Sequence, residues 1–418
     1  MNIYFCGIGG VGLGPLAQIA RDAGHTVYGS DLHSSTITEE LTRSGIVVST
    51  DQSGANLEKV NQTAPLDWFI YTSALSLDHP ELTLARELGL HIAKRDELIN
   101  YIVNEKNLKL IAIAGTHGKT TTTAMAVWIL QQLGIPVSYS IGTTISFGPS
   151  GYFDPSAQYF VYECDEFDRN FLHFSPYLSL ITSIDFDHPD TYPTQADYAM
   201  AFTQFLSQSQ HSIIWARDTT NISPPPNAWQ LSDDEMMDIT LAGSHNRANA
   251  TLVVKGFEYL GISTPDAIRT HLATFPGSTR RFERLADNLY SDYGHHPVEI
   301  AATLQMAREL SDQVVLVYQP HQNTRQHNIR SAYTTCMALA EQIYWLPTFQ
   351  TREDPSLSVL TPEQLTEQLA NKASVTYANL NDELWQHIQA ARTAGKLVLC
   401  MGAGTIDSWV RQQLTIQR

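Results

Sequence analysis

A glycine- and threonine-rich segment in the middle of the chain contains residue types that bind phosphate. Residues 114–123, AGTHGKTTTT, follow a predicted strand (Lys109–Ala114) and precede a helical pattern. Backbone N–H groups of such a loop bind phosphate oxygens, Lys119 can neutralise their charge, and Thr120 can offer its hydroxyl to Mg²⁺. Ile113 stands where the general pattern GxxxxGK[ST] has glycine, so the loop is a shorter variant. The predicted ATP ligands here are Gly115, Thr116, His117, Gly118, Lys119, Thr120 and Thr121.

Acidic residues and a histidine follow this loop after further predicted strands. Glu163 ends the run YFVYE, and a carboxylate at a strand end beside a phosphate loop suits Mg²⁺. Asp165, Glu166 and Asp168 come next, and we expect them to form a solvated acidic turn. His188 could ligate a second ion or orient a phosphate, but its sequence context alone favours a structural histidine.

A second glycine-rich turn, GIGGVG at residues 7–12, follows the first predicted strand. Gly7, Gly9 and Gly12 match GxGxxG, a helical pattern follows, and Asp31 comes about 20 residues later, as in dinucleotide-binding folds. The turn predicts nucleotide or nucleotide-sugar binding, with a purely structural turn as the alternative. The motif alone does not separate NAD from a UDP-sugar.

The elements that position these residues alternate between short β-rich runs and amphipathic stretches, which indicates an α/β fold. A third glycine-rich turn, MGAGT, occupies residues 401–405. We predict three domains: a Rossmann-like sugar-nucleotide domain at 1–107, a central P-loop ATPase-like α/β domain at 108–277, and a Rossmann-like C-terminal domain at 278–418. Residues 219–238, with three consecutive prolines, predict an excursion or loop. The predicted strands are Asn2–Cys6, Thr26–Tyr28, Trp68–Tyr71, Lys109–Ala114, Phe160–Glu163, Leu178–Ser183, Ser212–Trp215, Val314–Tyr318, Ile343–Leu346 and Lys396–Met401.

The composition narrows the class of protein. With 418 residues, 43% hydrophobic and 17% charged, the chain is globular and long enough for two or three domains. Its net charge of −17 gives no electrostatic reason to bind nucleic acid or an anionic membrane. Four dispersed cysteines argue against a disulfide scaffold or a zinc site, and no apolar run is long enough to span a bilayer. We therefore expect a cytoplasmic protein.

Taken together, the motifs resemble those of the Mur ligases of peptidoglycan synthesis, in order along nearly the whole chain. The matching segments are GIGGVGLGPLA, GSD at 29–31, TSA at 72–74, AGTHGKTTT, ECDEFD, DFDHPDTY, GSHNRANA at 243–250, STRRFE at 278–283, SDYGHHP at 291–297, QPHQNTR at 319–325 and GAGTI at 402–406.

The resemblance implies a role for residues that the sequence alone leaves ambiguous. The implied catalytic residues are Lys119, Glu163, His188 and Arg281. The implied Mg²⁺ ligands are Thr120, Glu163 and His188. Further ATP ligands would be Asn246, Asn249, Arg281 and Asp292, with Arg280 as a second candidate at the γ-phosphate. The UDP-sugar ligands would be Gly7, Gly9, Gly10, Gly12, Asp31, Ser73 and Arg95, and the amino-acid ligands His321 and Arg325. Without the family, the two asparagines would be helix caps and the arginine pair a solvated loop.

The implied activity is ATP- and Mg²⁺-dependent joining of L-alanine to the lactyl carboxylate of UDP-N-acetylmuramate through an acyl phosphate, by a monomer or homodimer. The third-domain motif usually reads QPHRYTR in the alanine-adding enzymes, but Gln322 and Asn323 replace its Arg and Tyr here. This motif also resembles a recycling relative that attaches a tripeptide to the same sugar nucleotide. Other classes are an NAD-dependent dehydrogenase, a non-catalytic binding module, and a folate-polyglutamylating or cyanophycin-type ligase.

Overall fold

The computed structural model describes residues 1–72, 75–188, 191–351 and 353–416. The chain forms two compact units, Met1–Met237 with Asn249–Phe275 and Asp238–Ala248 with Pro276–Arg418. The first unit contains two β-sheets and the second contains one. Within the described residues, no helix has the length and apolar character needed to cross a membrane.

The first sheet has five parallel strands in the order β3-β2-β1-β4-β5. Its strands are β1 (Asn2–Cys6), β2 (Thr26–Ser30), β3 (Val47–Ser49), β4 (Trp68–Tyr71) and β5 (His91–Ala93). Its helices are α1 (Leu13–Asp22), α2 (Thr36–Arg43), α3 (Ala55–Thr63), α4 (Pro80–Glu87) and α5 (Arg95–Glu105). The strand order reverses beside β1, so the turn at residues 7–12 lies where such sheets bind ligands.

The second sheet has seven strands in the order β12-β11-β10-β6-β9-β7-β8, parallel except for the β7–β8 pair. Its strands are β6 (Lys109–Ala114), β7 (Val137–Ser140), β8 (Gly151–Tyr152), β9 (Tyr159–Glu163), β10 (Leu178–Ile181), β11 (His211–Trp215) and β12 (Ala228–Leu231). The accompanying helices are α6 (Lys119–Gln132), α7 (Gln195–Gln208), α8 (Ser244–Tyr259) and α9 (Pro265–Leu272), with 3₁₀ turns at Phe167–His173, Ala216–Thr219 and Asp233–Glu235. Because β6 pairs with β9 and β10, the phosphate loop after β6 is flanked by the carboxyl ends of both neighbours.

The third sheet has six strands in the order β13-β14-β18-β15-β16-β17, with only the β13–β14 pair antiparallel. Its strands are β13 (Glu283–Ala286), β14 (Leu289–Asp292), β15 (Val314–Tyr318), β16 (Gln342–Trp345), β17 (Val375–Tyr377) and β18 (Leu397–Met401). Its helices are α10 (Pro297–Leu310), α11 (Asn323–Ile329), α12 (Pro362–Leu365), α13 (Asp382–Thr393) and α14 (Ile406–Ile416), with 3₁₀ turns at Arg330–Tyr333 and Lys372–Ser374.

The central strands are continuous apolar runs because helices cover both faces of each sheet. Every residue of β15 and β18 is buried, as is β6 after its first residue. The predicted α/β fold is therefore confirmed. The prediction of a loop over residues 219–238 is partly wrong, since β12 lies within it and pairs with β11. The two middle residues of β12, Trp229 and Gln230, are exposed, so this edge strand lacks an apolar signature.

Candidate active site

The phosphate loop between β6 and α6 has a backbone that two glycines make possible. Gly115 and Gly118 have φ values of 132° and 85°, in the region that favours glycine. A Cβ at position 118 would lie 2.7 Å from Nδ2 of Asn249, and one at position 115 would lie 2.4 Å from Oγ1 of Thr182. Both positions therefore exclude a side chain for two reasons, conformation and space.

Residues that follow β10 hold this loop in place. The hydroxyl of Thr116 donates to the carbonyl of Asp185 at 2.8 Å and lies 2.7 Å from the hydroxyl of Tyr198. The backbone N–H of His117 donates to Oγ of Ser183 at 3.0 Å. The protein's own residues thus fix the shape of the loop, and a loop that is held in this way loses little entropy when it binds a ligand.

Lys119, the first residue of α6, is surrounded by acceptors. Its Nζ donates to the carbonyls of Gly115 (2.6 Å) and Thr116 (3.3 Å) and to Oε2 of Glu166 (2.7 Å). Burial opposes the lysine charge, but the carboxylates of Glu166 and Asp165 raise the pKa of Lys119 above its ordinary value. Lys119 is therefore a cation at neutral pH.

Glu166 corrects one expectation from the sequence. It was expected in a solvated acidic turn, yet its side chain is fully buried. Burial raises the pKa of this carboxyl and the nearby Lys119 ammonium counteracts that rise. Only its neighbour Asp168 fits the expectation, with a side chain 47% exposed that pairs with Lys94. A buried carboxylate paired with the loop lysine belongs to the site.

Thr120 and Glu163 come together as predicted ligands of one cation. The Thr120 hydroxyl donates to Oε1 of Glu163 at 2.8 Å, while the other carboxylate oxygen accepts the backbone N–H of Gly142 at 2.8 Å. Thr120 is the second residue of α6 and Glu163 is the last residue of β9, so the pairing of β6 with β9 sets their separation. A hydroxyl and a carboxylate beside a phosphate loop are the hard oxygen donors that Mg²⁺ prefers, so this donor set fits the ion.

His188 lies with a different pair of acids. Its Nε2 is 3.8 Å from Oε1 of Glu166 and 3.9 Å from Oδ2 of Asp187. Atoms of Asp165, Glu166 and His188 that could bind a metal lie within 4.8 Å of one another. Its φ of 56° is left-handed, which is uncommon outside glycine and marks a constrained position. The structure thus groups His188 with Glu166, a residue that the sequence-based site did not include.

Asn246 and Asn249 lie inside α8, so capping does not explain them. Asn249 is 5% exposed and contacts the loop at Gly118. Asn246 belongs to the second compact unit, where its Nδ2 donates to the carbonyl of Ala242 at 3.0 Å. Their contact with adenine stays a prediction.

The remaining predicted ATP ligands lie in the second unit. The guanidinium of Arg281 lies 5.1 Å from the ring centroid of Tyr293, while Arg280 donates to the carbonyl of Gly402 at 2.8 Å. Asp292 accepts the backbone N–H groups of Phe282 and Gly294, each at 2.7 Å. Burial raises the pKa of Asp292 to about 6, against the lowering effect of Arg281. Asp292 therefore holds the segment that carries Arg281.

Asp31, one of the predicted UDP-sugar ligands, accepts a hydrogen bond from the first glycine turn. Oδ2 of Asp31 accepts the backbone N–H of Gly9 at 2.8 Å, and Ser30 accepts that of Gly7 at 2.8 Å. Arg95, at the start of α5, has a guanidinium nitrogen 3.6 Å from where a Cβ of Gly12 would be. The turn and Arg95 thus form one surface, while Ser73 lies outside the described residues.

The predicted amino-acid ligands lie at the carboxyl end of β15. Arg325 contacts Nε2 of His295, and the rings of His295 and His321 have centroids 5.7 Å apart. Gln322 has a left-handed φ of 63°. Asn323 is 1% exposed and bonds the backbone at Ser358 and Leu360 (3.1 and 2.9 Å). Asn323, which replaces the Tyr of the usual motif, therefore fixes the neighbouring segment at residues 358–360.

Another group of possible metal ligands lies between β1 and the start of α4, at Cys6, His79 and Glu81. Both oxygens of the buried Glu81 already accept hydroxyl protons, from Tyr4 at 2.7 Å and from Ser30 at 2.5 Å. This arrangement satisfies a buried carboxylate without a metal.

Comparison with known proteins agrees with this arrangement over the whole chain. Three family models match in order: the Mur ligase family catalytic domain at residues 2–107, the Mur ligase middle domain at 113–229, and the Mur ligase, glutamate ligase domain at 280–404. The chain belongs to the Mur ligase family and is a ligase that uses ATP. Membership of this family argues against the alternative predictions of a dehydrogenase and of a folate- or cyanophycin-type ligase.

Curated relatives and solved structures are similar over nearly full length. The UDP-N-acetylmuramate–L-alanine ligases of Dinoroseobacter shibae and Thermosynechococcus vestitus are 31% and 29% identical, over 97% of this chain and 95% and 94% of theirs. The structure of UDP-N-acetylmuramate-alanine ligase from Thermotoga maritima matches with a TM-score of 0.77, 24% identity, and coverage of 100% and 99%. A murein peptide ligase from Psychrobacter arcticus matches with a TM-score of 0.65, 24% identity, and coverage of 99% and 98%.

Proposed function

We propose that this protein joins L-alanine to the lactyl carboxylate of UDP-N-acetylmuramate, at the expense of ATP, as a step of peptidoglycan precursor synthesis. The observation that carries the proposal is the phosphate loop around Lys119, in a chain whose curated relatives are named for this reaction along nearly their full length. The proposal places the enzyme in the cytoplasm, as a monomer or homodimer.

The chemistry requires activation of a poor electrophile. A carboxylate resists attack by an amine, so its oxygen first attacks the γ-phosphorus of ATP, which gives an acyl phosphate and ADP. The neutral amine then attacks the acyl carbon, and inorganic phosphate leaves. Lys119 and the loop N–H groups would bind phosphate oxygens and stabilise the charge that spreads over them in the transition state. Arg281 is the proposed second cation.

Thr120 and Glu163 are the proposed Mg²⁺ ligands, with His188 as the third. Bound there, the ion would neutralise charge on the phosphates and make the γ-phosphorus easier to attack. Glu163 would keep its Gly142 bond, which orients the carboxylate toward α6.

Two assays test the proposal. Purified protein is given ATP, Mg²⁺ and UDP-N-acetylmuramate with L-alanine, glycine, L-serine or the tripeptide L-Ala-D-Glu-diaminopimelate, and the ligated product is measured. We expect L-alanine to be preferred; preference for the tripeptide would instead favour the recycling reaction, to which Gln322 and Asn323 also point. Lys119→Ala should abolish ligation and keep UDP-sugar binding, whereas Lys255→Ala in α8 should leave ligation intact. Ligation that survives Lys119→Ala would refute the assignment.

A further inference from the structure

The ammonium group of Lys119 has no spare donor in this structure. An ammonium offers three N–H donors, and three acceptors surround this one: the carbonyls of Gly115 and Thr116 and the Glu166 carboxylate. A phosphate oxygen can therefore gain a hydrogen bond from Lys119 only by displacing one of them. The two carbonyls belong to the loop that must stay formed to bind phosphate, which leaves the carboxylate as the exchangeable partner.

Glu166 is held in position for this exchange from several sides. Its backbone carbonyl accepts the hydroxyl of Tyr192 at 2.6 Å, and its side chain is fully buried. Its Oε2 contacts Lys119, while its Oε1 faces the hydroxyl of Tyr198 at 3.5 Å and Nε2 of His188 at 3.8 Å. The carboxylate thus has the loop lysine on one oxygen and the predicted metal-binding histidine on the other.

We propose that Glu166 is a positioning residue that holds Lys119 in place of a phosphate group, and that nucleotide binding transfers Lys119 from this carboxylate to the phosphates. Repulsion between the arriving phosphate and the carboxylate directs Glu166 toward Tyr198 and His188, the two polar groups that face its other oxygen. Glu166 therefore competes with nucleotide for Lys119 and, once released, orients His188. This inference rests on the proposed binding of ATP at the loop.

The exchange predicts opposite effects of Glu166→Gln on binding and turnover. The neutral amide competes poorly for Lys119, so ADP should bind about tenfold more tightly or better, since a hydrogen bond to a charged group is involved. The kcat of ligation should fall, because His188 loses one of its two neighbouring carboxylates and keeps only that of Asp187. A residue with a merely structural role would weaken binding and turnover together.

The test is titration of the full-length enzyme with ADP by calorimetry, in the presence of EDTA so that metal coordination does not contribute. Asp168→Asn removes the same charge two residues away, where Asp168 pairs with Lys94, and should leave ADP affinity unchanged. In a double-mutant cycle, adding Glu166→Gln to the Lys119→Met variant should not increase its affinity for ADP. The ammonium for which Glu166 and the nucleotide compete is absent from that variant. Equal or weaker binding by Glu166→Gln, or tightening that persists without Lys119, would overturn the proposal.

Two further measurements distinguish a folding defect of the variant, an error in the proposed function and an error in the role proposed for Glu166. If Glu166→Gln does not fold, Glu166→Asp keeps the charge but shortens its reach to Lys119, and should tighten ADP binding to a smaller extent. A wild-type enzyme that does not bind ADP would contradict the proposed function itself. A wild-type enzyme that binds ADP and ligates, beside variants without the expected change in affinity, would contradict only the role of Glu166.

Discussion

The hydroxyl of Thr120 donates to the carboxylate of Glu163 at 2.8 Å, across the junction of α6 and β9. Two predicted ligands of one cation are thus already in contact. Thr120→Val and Glu163→Gln should each raise the Mg²⁺ concentration needed for half-maximal ligation roughly tenfold or more, since each removes an oxygen donor. Thr123→Val is the control, because its hydroxyl donates to the Lys119 carbonyl within the helix. A Mg²⁺ dependence unchanged by both ligand variants would exclude this metal site.

Gly118→Ala should abolish nucleotide binding and lower the free energy of unfolding by about 1–3 kcal/mol. The added Cβ would meet the Asn249 amide 2.7 Å away, at a φ of 85°. Gly134→Ala separates the two causes, because Gly134 has a φ of 67° and, apart from its neighbours in sequence, none of the described residues has an atom within 4 Å of its Cβ position. We expect Gly134→Ala to lower the free energy of unfolding, because alanine disfavours this left-handed backbone conformation, and to bind ADP with wild-type affinity. Equal ADP affinity in both variants would show that the close approach of Asn249 is unimportant.

His295 should make the stability of the second unit depend on pH. Burial lowers the pKa of this imidazole to about 4, although Glu299 counteracts the shift. A neutral ring fits its bonds, since Nδ1–H can donate to the Tyr293 carbonyl at 3.2 Å while Nε2 accepts from Arg325. Between an unfolded pKa near 6.5 and the folded value, the unfolded chain binds more protons, so stability is lost as pH falls.

The expected loss from His295 between pH 7 and pH 4 is up to about 3 kcal/mol. Denaturant unfolding at several pH values should show a flatter profile for His295→Gln. His387→Gln, at an exposed position of α13, should keep the wild-type slope. Parallel profiles for wild type and His295→Gln would mean that His295 is not the titrating group.

Asn323→Ala should lower the free energy of unfolding of the second unit by roughly 2–4 kcal/mol. The substitution leaves the Ser358 carbonyl and the Leu360 N–H without their side-chain partner at a position that is 1% exposed. Asn379→Ala changes an exposed asparagine of the same unit and should cost little. Thermal unfolding monitored by circular dichroism would measure both, and equal melting temperatures would count against the role of Asn323 in holding the loop.

Much of the fold could be predicted because central strands carry their signal locally. Asn2–Cys6, Lys109–Ala114 and Val314–Tyr318 agree with the structure to the residue. Strands of two or three residues at or near sheet edges, such as β3 and β8, were missed because they are too short to show a period. Their place depends on pairing with partners distant in sequence.

The candidate site also contains residues that the sequence predicts and one residue that it does not. The position of the phosphate loop between β6 and α6 could be predicted because its residues are contiguous in sequence, and that of Glu163 because it ends an apolar run. Their roles as ligands stay predictions. Glu166 was missed because its burial depends on Tyr192 and Tyr198 and on Lys119, 47 residues earlier. An acidic segment looks solvated until tertiary contacts supply its partners. The division into three domains stays a prediction: three family models match successive segments of the chain, while the first two sheets lie in one compact unit.

The start of α5 limits how this protein could be rebuilt from parts. Lys94 pairs with Asp168, Arg95 lies over the Tyr162 ring, and the buried Asp96 accepts the Tyr162 hydroxyl. Residues 1–107 therefore cannot be exchanged for the equivalent segment of another protein without losing these contacts. A chimaera in which another protein supplies residues 1–107 would need a carboxylate opposite Tyr162, or its second sheet would keep a buried phenol without its present acceptor.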